Sequence, residues 1–134
     1  MYRVTLIRGD GIGPEIVAAA LEVVDATGVK IAWEEAIAGE EAVEKLGTPL
    51  PEETVASLLK NRVGLKGPLT TQVGSGYRSL NVAMRQKLDL YANLRLAKSY
   101  PRVNSPYKDI DLVVVRENTE GLYSGVEHMV GPDA

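Results

Sequence analysis

The stretch Val4-Thr5-Leu6-Ile7-Arg8-Gly9-Asp10-Gly11-Ile12-Gly13-Pro14-Glu15 decides the fold class. Val4 to Ile7 is a short β-branched and aliphatic run ending at a glycine cluster, which predicts a buried strand. The glycines predict a tight turn. Pro14 suits the first helical position, where its missing N–H would be unpaired anyway. Glu15 follows in the first turn, where the helix dipole favours negative charge. The apolar residues Ile16, Ala19, Ala20, Val23 and Val24 then recur at helical spacing, and Gly28 supplies the stop.

The same grammar repeats down the chain. Residues 31–37 predict a second strand, and 40–46 a helix closed by Gly47. A further helix is expected over 51–60, with Glu52 and Glu53 in its first turn. Val63-Gly64-Leu65 predicts a third strand ending at Lys66-Gly67-Pro68. Strands alternating with helices define an α/β class: an open, mainly parallel sheet flanked by helices, incomplete within this chain. Ligands of such sheets bind beyond the carboxyl ends of the strands, and the Gly9 and Gly67 turns both fall there. Beyond them, 79–88 predicts a helix and 90–96 an extended segment. Residues 100–107, with Pro101, Asn104, Ser105 and Pro106, predict a loop, and 110–116 a strong apolar strand.

Composition narrows the function classes. A net charge of −3 gives no footing for a nucleic-acid or membrane-surface partner. With no cysteine, disulfide scaffolds and cysteine-based metal sites are excluded. No apolar run reaches membrane-spanning length and the amino terminus shows no signal-peptide core, so a cytoplasmic protein is expected. Charge is unevenly spread. Residues 67–116 hold eight Arg and Lys against Asp89, Asp109 and Asp111, inside an otherwise acidic chain. That pattern suits a local anion site or a solvated basic face.

Four constellations bear on chemistry. The first glycine cluster fails as a dinucleotide fingerprint, because Pro14 stands where the third glycine of G-x-G-x-x-G should be. The second runs from Thr70 to Asn81 and on to Arg85. Ser79 stands where a helix begins, and Asn81 and Arg85, four apart, share a face. Hydroxyl, amide and guanidinium together at a helix N-terminus suit a carboxylate or phosphate, although an N-cap serine with a solvated face would leave the same trace. The third comprises Arg85, Arg95 and Arg116, whose planar forks suit a polycarboxylate. Arg116 could instead pair structurally with Glu117 or Glu120. Tyr123 is the fourth: a tyrosine near cations can have a lowered pKa and take part in proton transfer, or it can simply pack. His128, the only histidine, has no partner for a metal site.

Together these segments resemble the isocitrate and isopropylmalate dehydrogenase family. The matching stretches are Gly9 to Glu15, Lys66 to Thr71, Arg78-Ser79-Leu80-Asn81 with Arg85, Leu88 to Arg95, and Val115 to Gly121 with Tyr123. They run in family order along nearly the whole chain. The resemblance implies a two-domain α/β enzyme, a homodimer or larger homo-oligomer. It would oxidise isocitrate with NAD or NADP and decarboxylate the product with a divalent metal, Mg2+ or Mn2+. By the same resemblance Arg85, Arg95 and Arg116 hold substrate carboxylates, and Ser79 and Asn81 contact the distal carboxylate that marks isocitrate. Tyr123 assists proton transfer. Ile12, Leu69 and Thr71 lie near the nicotinamide.

The resemblance also places residues 1–98 in the large domain and 99–134 at the start of a smaller, dimer-forming domain. The metal ligands and the catalytic lysine fall outside this chain, so the isolated chain is expected to be inactive. Gln72 and Leu96 stand where the family usually has proline, which bears on loop geometry. The alternatives are a homoisocitrate or isopropylmalate dehydrogenase, a non-catalytic regulatory subunit, or an inactive fragment. The likeness of Asn93, of Ser105-Pro106-Tyr107 and of the segment from Thr119 to His128 to NAD-linked members favours NAD.

Overall fold

A computed structural model describes residues 1–70, 79–121 and 124. They form two compact units, Met1–Leu88 and Asp89–Ala134. In the first, β1 (Tyr2–Ile7) leads through α1 (Gly13–Ala26) to β2 (Ile31–Glu35). The chain continues through α2 (Glu40–Leu46) and α3 (Glu52–Asn61) to β3 (Gly64–Lys66), and α4 (Leu80–Lys87) closes the unit. The sheet has the order β2-β1-β3, with β1 parallel to both neighbours. The β1-to-β2 and β2-to-β3 crossovers therefore run in opposite directions across the sheet. Right-handed crossovers put such helices on opposite faces, in keeping with the open, mainly parallel sheet flanked by helices expected from the sequence.

β1 is the spine of the core. Leu6 and Ile7 are each 1% exposed, and burying a side chain of that size contributes about 1.5–3 kcal/mol. Alternation sends Thr5 and Ile7 to one face and Val4 and Leu6 to the other. Ile7 joins Ala38, Leu50, Val55, Leu69, Leu80 and Met84 in one apolar cluster. That cluster docks α3, α4 and the loop after β3 against the same face. Thr5, fully buried, is the polar member of this face. Its hydroxyl lies 2.8 Å from Ser57 Oγ and accepts from Asn61 Nδ2 at 3.0 Å. Ser57 Oγ donates to Glu34 Oε1 at 2.8 Å, and Lys60 Nζ to Glu34 Oε2 at 3.2 Å. These bonds offset the desolvation of the threonine hydroxyl.

In α1 the apolar stripe differs from the one expected. Pro14 and Glu15 occupy the first turn as predicted. The face turned inward is Gly13, Val17, Ala20, Leu21 and Val24, whereas Ile16, Ala19 and Val23 are exposed. Two apolar stripes at helical spacing coexist in this helix, and periodicity alone does not say which one the sheet covers. Gly47 caps α2 at φ +71 as the sequence suggests, while Arg62, which carried no such signal, takes the same left-handed role after α3 at φ +59.

The second unit is an antiparallel ribbon of β4 (Ala92–Lys98) and β5 (Asp111–Glu117). Leu94, Leu96, Val113 and Val115 are all exposed. Direct pairing of Leu94 with Val115 and Leu96 with Val113 puts them on one face of the ribbon.

Candidate functional site

The carboxyl ends of the three parallel strands are stitched together by backbone and carboxylate bonds. Gly67 N donates to Ile7 O at 2.8 Å and Ala36 N to Leu6 O at 2.9 Å, extending the sheet by one residue on each side. Asp10 N then donates to Pro68 O at 2.8 Å, joining the turn after β1 to the loop after β3. The closeness of that joint explains two glycines. A side chain at Gly9, φ +81, would run into Pro68 O, and one at Gly67 into Arg8 O. The Gly9 turn is thus a packing device between loops, consistent with its failure to match a dinucleotide fingerprint.

On this edge Ile12 is 67% exposed at the turn, and Leu69, in the loop after β3, is buried. Thr71 lies outside the described residues. An exposed aliphatic side chain beside glycine backbone fits the flat, apolar face of a nicotinamide ring. Ile12 and Leu69 thus both stand at the carboxyl ends of the strands, Ile12 facing outward and Leu69 inward.

Ser79, Asn81 and Arg85 lie at the head of helix α4 and along it. Leu80 and Met84 turn into the apolar cluster with Ile7 and Leu69. That anchoring leaves the adjoining Ser79, Asn81 and Arg85 partly exposed. Ser79 is the N-cap residue, and its carbonyl accepts from Val82 N at 2.8 Å and Ala83 N at 3.0 Å. Its hydroxyl makes no capping bond. The hydroxyl of this N-cap serine is thus not spent on the helix backbone.

Lys66, to which sequence reasoning assigned no role, belongs to this neighbourhood. Its Nζ donates to Gly67 O at 2.8 Å. Partial desolvation holds its amino group below the ordinary lysine range; the Arg85 charge lowers it further, while Asp10 acts in the opposite sense. The only trace in the sequence was a lysine directly before the Gly67-Pro68 turn.

In the second unit the register supplies what spacing could not. Arg116 pairs with Asn93, and Arg95 with Val114. Residues two apart on a strand share a face, so Arg95 and Arg116 lie diagonally on one face of the ribbon. Leu94, Leu96, Val113 and Val115 occupy the other. Glu117 is engaged locally. Its Oε1 accepts from Thr119 N at 2.8 Å and Thr119 Oγ1 at 2.9 Å, and its Oε2 from Glu120 N at 2.9 Å. The Thr119 N–H, more than any other group, holds the Glu117 carboxyl below its ordinary range. Tyr123 and His128 lie outside the described residues. Among the described residues no group of three or more His, Cys, Asp or Glu could hold a metal ion.

The parallel β2-β1-β3 sheet and its helices make the first unit an α/β unit whose loops gather at the carboxyl ends of the strands. The chain matches the isocitrate/isopropylmalate dehydrogenase family over residues 3–133 and belongs to it. It is 48% identical over 128 residues to an NAD isocitrate dehydrogenase catalytic subunit (subunit 6, mitochondrial) of Arabidopsis thaliana, covering 96% of this chain and 34% of the relative. An NADP isocitrate dehydrogenase of Haloferax volcanii is 47% identical over 137 residues, covering 97% of this chain and 33% of that one. The crystal structure of isocitrate dehydrogenase from Methylococcus capsulatus superposes with a TM-score of 0.89 at 56% identity, over 99% of this chain and 39% of that one. The chain thus spans about a third of the length of the curated relatives it matches. No described helix is long and apolar enough to cross a membrane.

Proposed function

We propose that this chain is the amino-terminal, substrate-binding part of an isocitrate dehydrogenase that oxidises isocitrate and releases 2-oxoglutarate and carbon dioxide. The observation that carries the substrate choice is the head of α4: a serine hydroxyl not used as a cap, with Asn81 and Arg85 beside it on one face. An isopropyl group in that position would leave these polar groups unpaired, which disfavours an isopropylmalate enzyme. Ser79 and Asn81 bind the distal carboxylate of isocitrate. Arg85, Arg95 and Arg116 hold carboxylates through bidentate bonds. Tyr123 moves the proton to the carbon from which carbon dioxide leaves.

Ile12, Leu69 and Thr71 line the nicotinamide side, and the cofactor, when bound, accepts the hydride from the secondary alcohol. NAD is the preferred cofactor. The divalent metal, Mg2+ or Mn2+, is held by residues beyond this chain. Residues 1–98 belong to the large domain and 99–134 begin the smaller domain, through which two or more copies associate.

The test is steady-state kinetics of the complete enzyme on isocitrate, homoisocitrate and isopropylmalate, with NAD and with NADP. Isocitrate with NAD should give the highest kcat/KM. A higher value for isopropylmalate would refute the reading of Ser79 and Asn81. This chain produced alone should show no turnover, and turnover at its verified mass would place the whole active site within it.

A further inference from the structure

Asp10 is the one buried carboxylate among the described residues, 7% exposed at the strand-end edge, and both its oxygens are used. Oδ1 accepts from Glu40 N at 2.9 Å, at the first residue of α2. Oδ2 accepts from Thr70 N at 2.7 Å, in the loop after β3. Its own N–H reaches Pro68 O, and its carbonyl accepts from Gly13 N at 2.9 Å, at the start of α1. One residue thus ties together the segments that follow β1, β2 and β3. Space for the carboxylate is provided by Gly39, φ +83, where any side chain would strike Asp10.

We infer that Asp10 is a positioning residue for the cofactor side of the active site: its carboxylate sets the Gly67–Thr70 loop against the Ile12 turn, and so fixes the edge against which the nicotinamide lies. The inference rests on the dehydrogenase reading above. Leu69 is buried in the apolar cluster, so the backbone at Thr70 is the point from which the loop leaves the core. A carboxylate is required because both partners are donors. Asparagine has nearly the same shape but only one acceptor, and its NH2 would face the second backbone N–H.

Asp10→Asn in the complete enzyme is the discriminating variant. A hydrogen bond to a charged group is worth about 1.5–3 kcal/mol, or about 10–150-fold. The Kd for reduced cofactor, read by its fluorescence without isocitrate or metal, should rise about tenfold or more, as should the cofactor KM, if the lost bond is of that size. The isocitrate KM should change less than about threefold on the same scale. Amide exchange at Thr70 should quicken. Gly39→Ala, which pushes on the same carboxylate, should shift the cofactor constants in the same direction.

Equal changes in both substrates' constants, or a loss of thermal stability with cofactor binding unaltered, would reduce Asp10 to a structural tie and overturn the inference. If the unaltered enzyme oxidises no 2-hydroxy acid, the dehydrogenase reading fails instead. Cofactor binding and Thr70 exchange in Asp10→Asn then still judge the positioning role, and an unchanged Kd with unchanged exchange refutes it.

Discussion

Replacing Gly39 and Gly47 by alanine, one at a time, separates backbone strain from the crowding around Asp10. Both glycines have positive φ, +83 and +71. Gly47 is in the left-handed helical region with nothing near its missing Cβ, so Gly47→Ala carries only a conformational cost, about 1–2 kcal/mol. Gly39 has ψ −143, a region almost confined to glycine, and its missing Cβ points into the Asp10 carboxylate. Backbone strain there costs about 1–3 kcal/mol, and displacing the carboxylate from Glu40 N forfeits a charged hydrogen bond of about 1.5–3 kcal/mol. Gly39→Ala should therefore lose about 2.5–6 kcal/mol, more than the loss in Gly47→Ala.

Urea unfolding of the complete enzyme, followed by Trp33 fluorescence in β2, reads both variants against the unaltered protein. Amide exchange at Glu40 and Thr70 locates the damage. Equal midpoints for the two variants, or unchanged exchange at Thr70 in Gly39→Ala, would refute the claim that Asp10 fills the space beside Gly39.

Other expectations concern the site and its pH dependence. Ser79→Asp should raise the isocitrate KM steeply or abolish binding, because a carboxylate would meet the substrate's own; unchanged kcat and KM would remove Ser79 from the site. Arg85→Lys keeps the charge but loses the fork, so kcat/KM should fall by the worth of a charged hydrogen bond, about 1.5–3 kcal/mol; an unchanged value would make Arg85 a surface cation. Tyr123→Phe should lower kcat about 10²–10⁴-fold with little change in isocitrate affinity, and the reverse pattern would make it a binding or packing residue. The Glu34 carboxyl is held below its ordinary range by Ser57 first, then by Lys60 and Asn61. A depressed carboxyl binds fewer protons folded than unfolded. Its stabilisation is complete above the ordinary carboxylate pKa and is lost as pH falls through the lowered value. Glu34→Gln should flatten acid unfolding in that window, and an unaltered profile would show that the Thr5–Ser57–Glu34 network contributes nothing there.

Local chemistry made much of this molecule legible. Strand β1, its glycine turn, Pro14 at the head of α1 and Gly47 after α2 follow from preferences that act within a few residues. The head of α4 was equally plain, since Ser79, Asn81 and Arg85 are separated by less than two helical turns. The inward stripe of α1 was not, because Ile16 and Val23 have the same apolar character and helical spacing as residues that are buried. Which stripe is covered depends on where the sheet lies. The sharing of a face by Arg95 and Arg116 depends on the register of β4 against β5, and a slip by one residue would part them. Asp10 read only as a polar residue in a glycine turn. Its role appears when Glu40 and Thr70, 30 and 60 residues further along the chain, bring their N–H groups to its two oxygens. Sequence alone determined the elements and the residue types gathered at their ends. Tertiary structure decided which stripe is buried and which loops one carboxylate joins, because burial and hydrogen-bond partnership belong to pairs of segments brought together by folding and to neither segment alone.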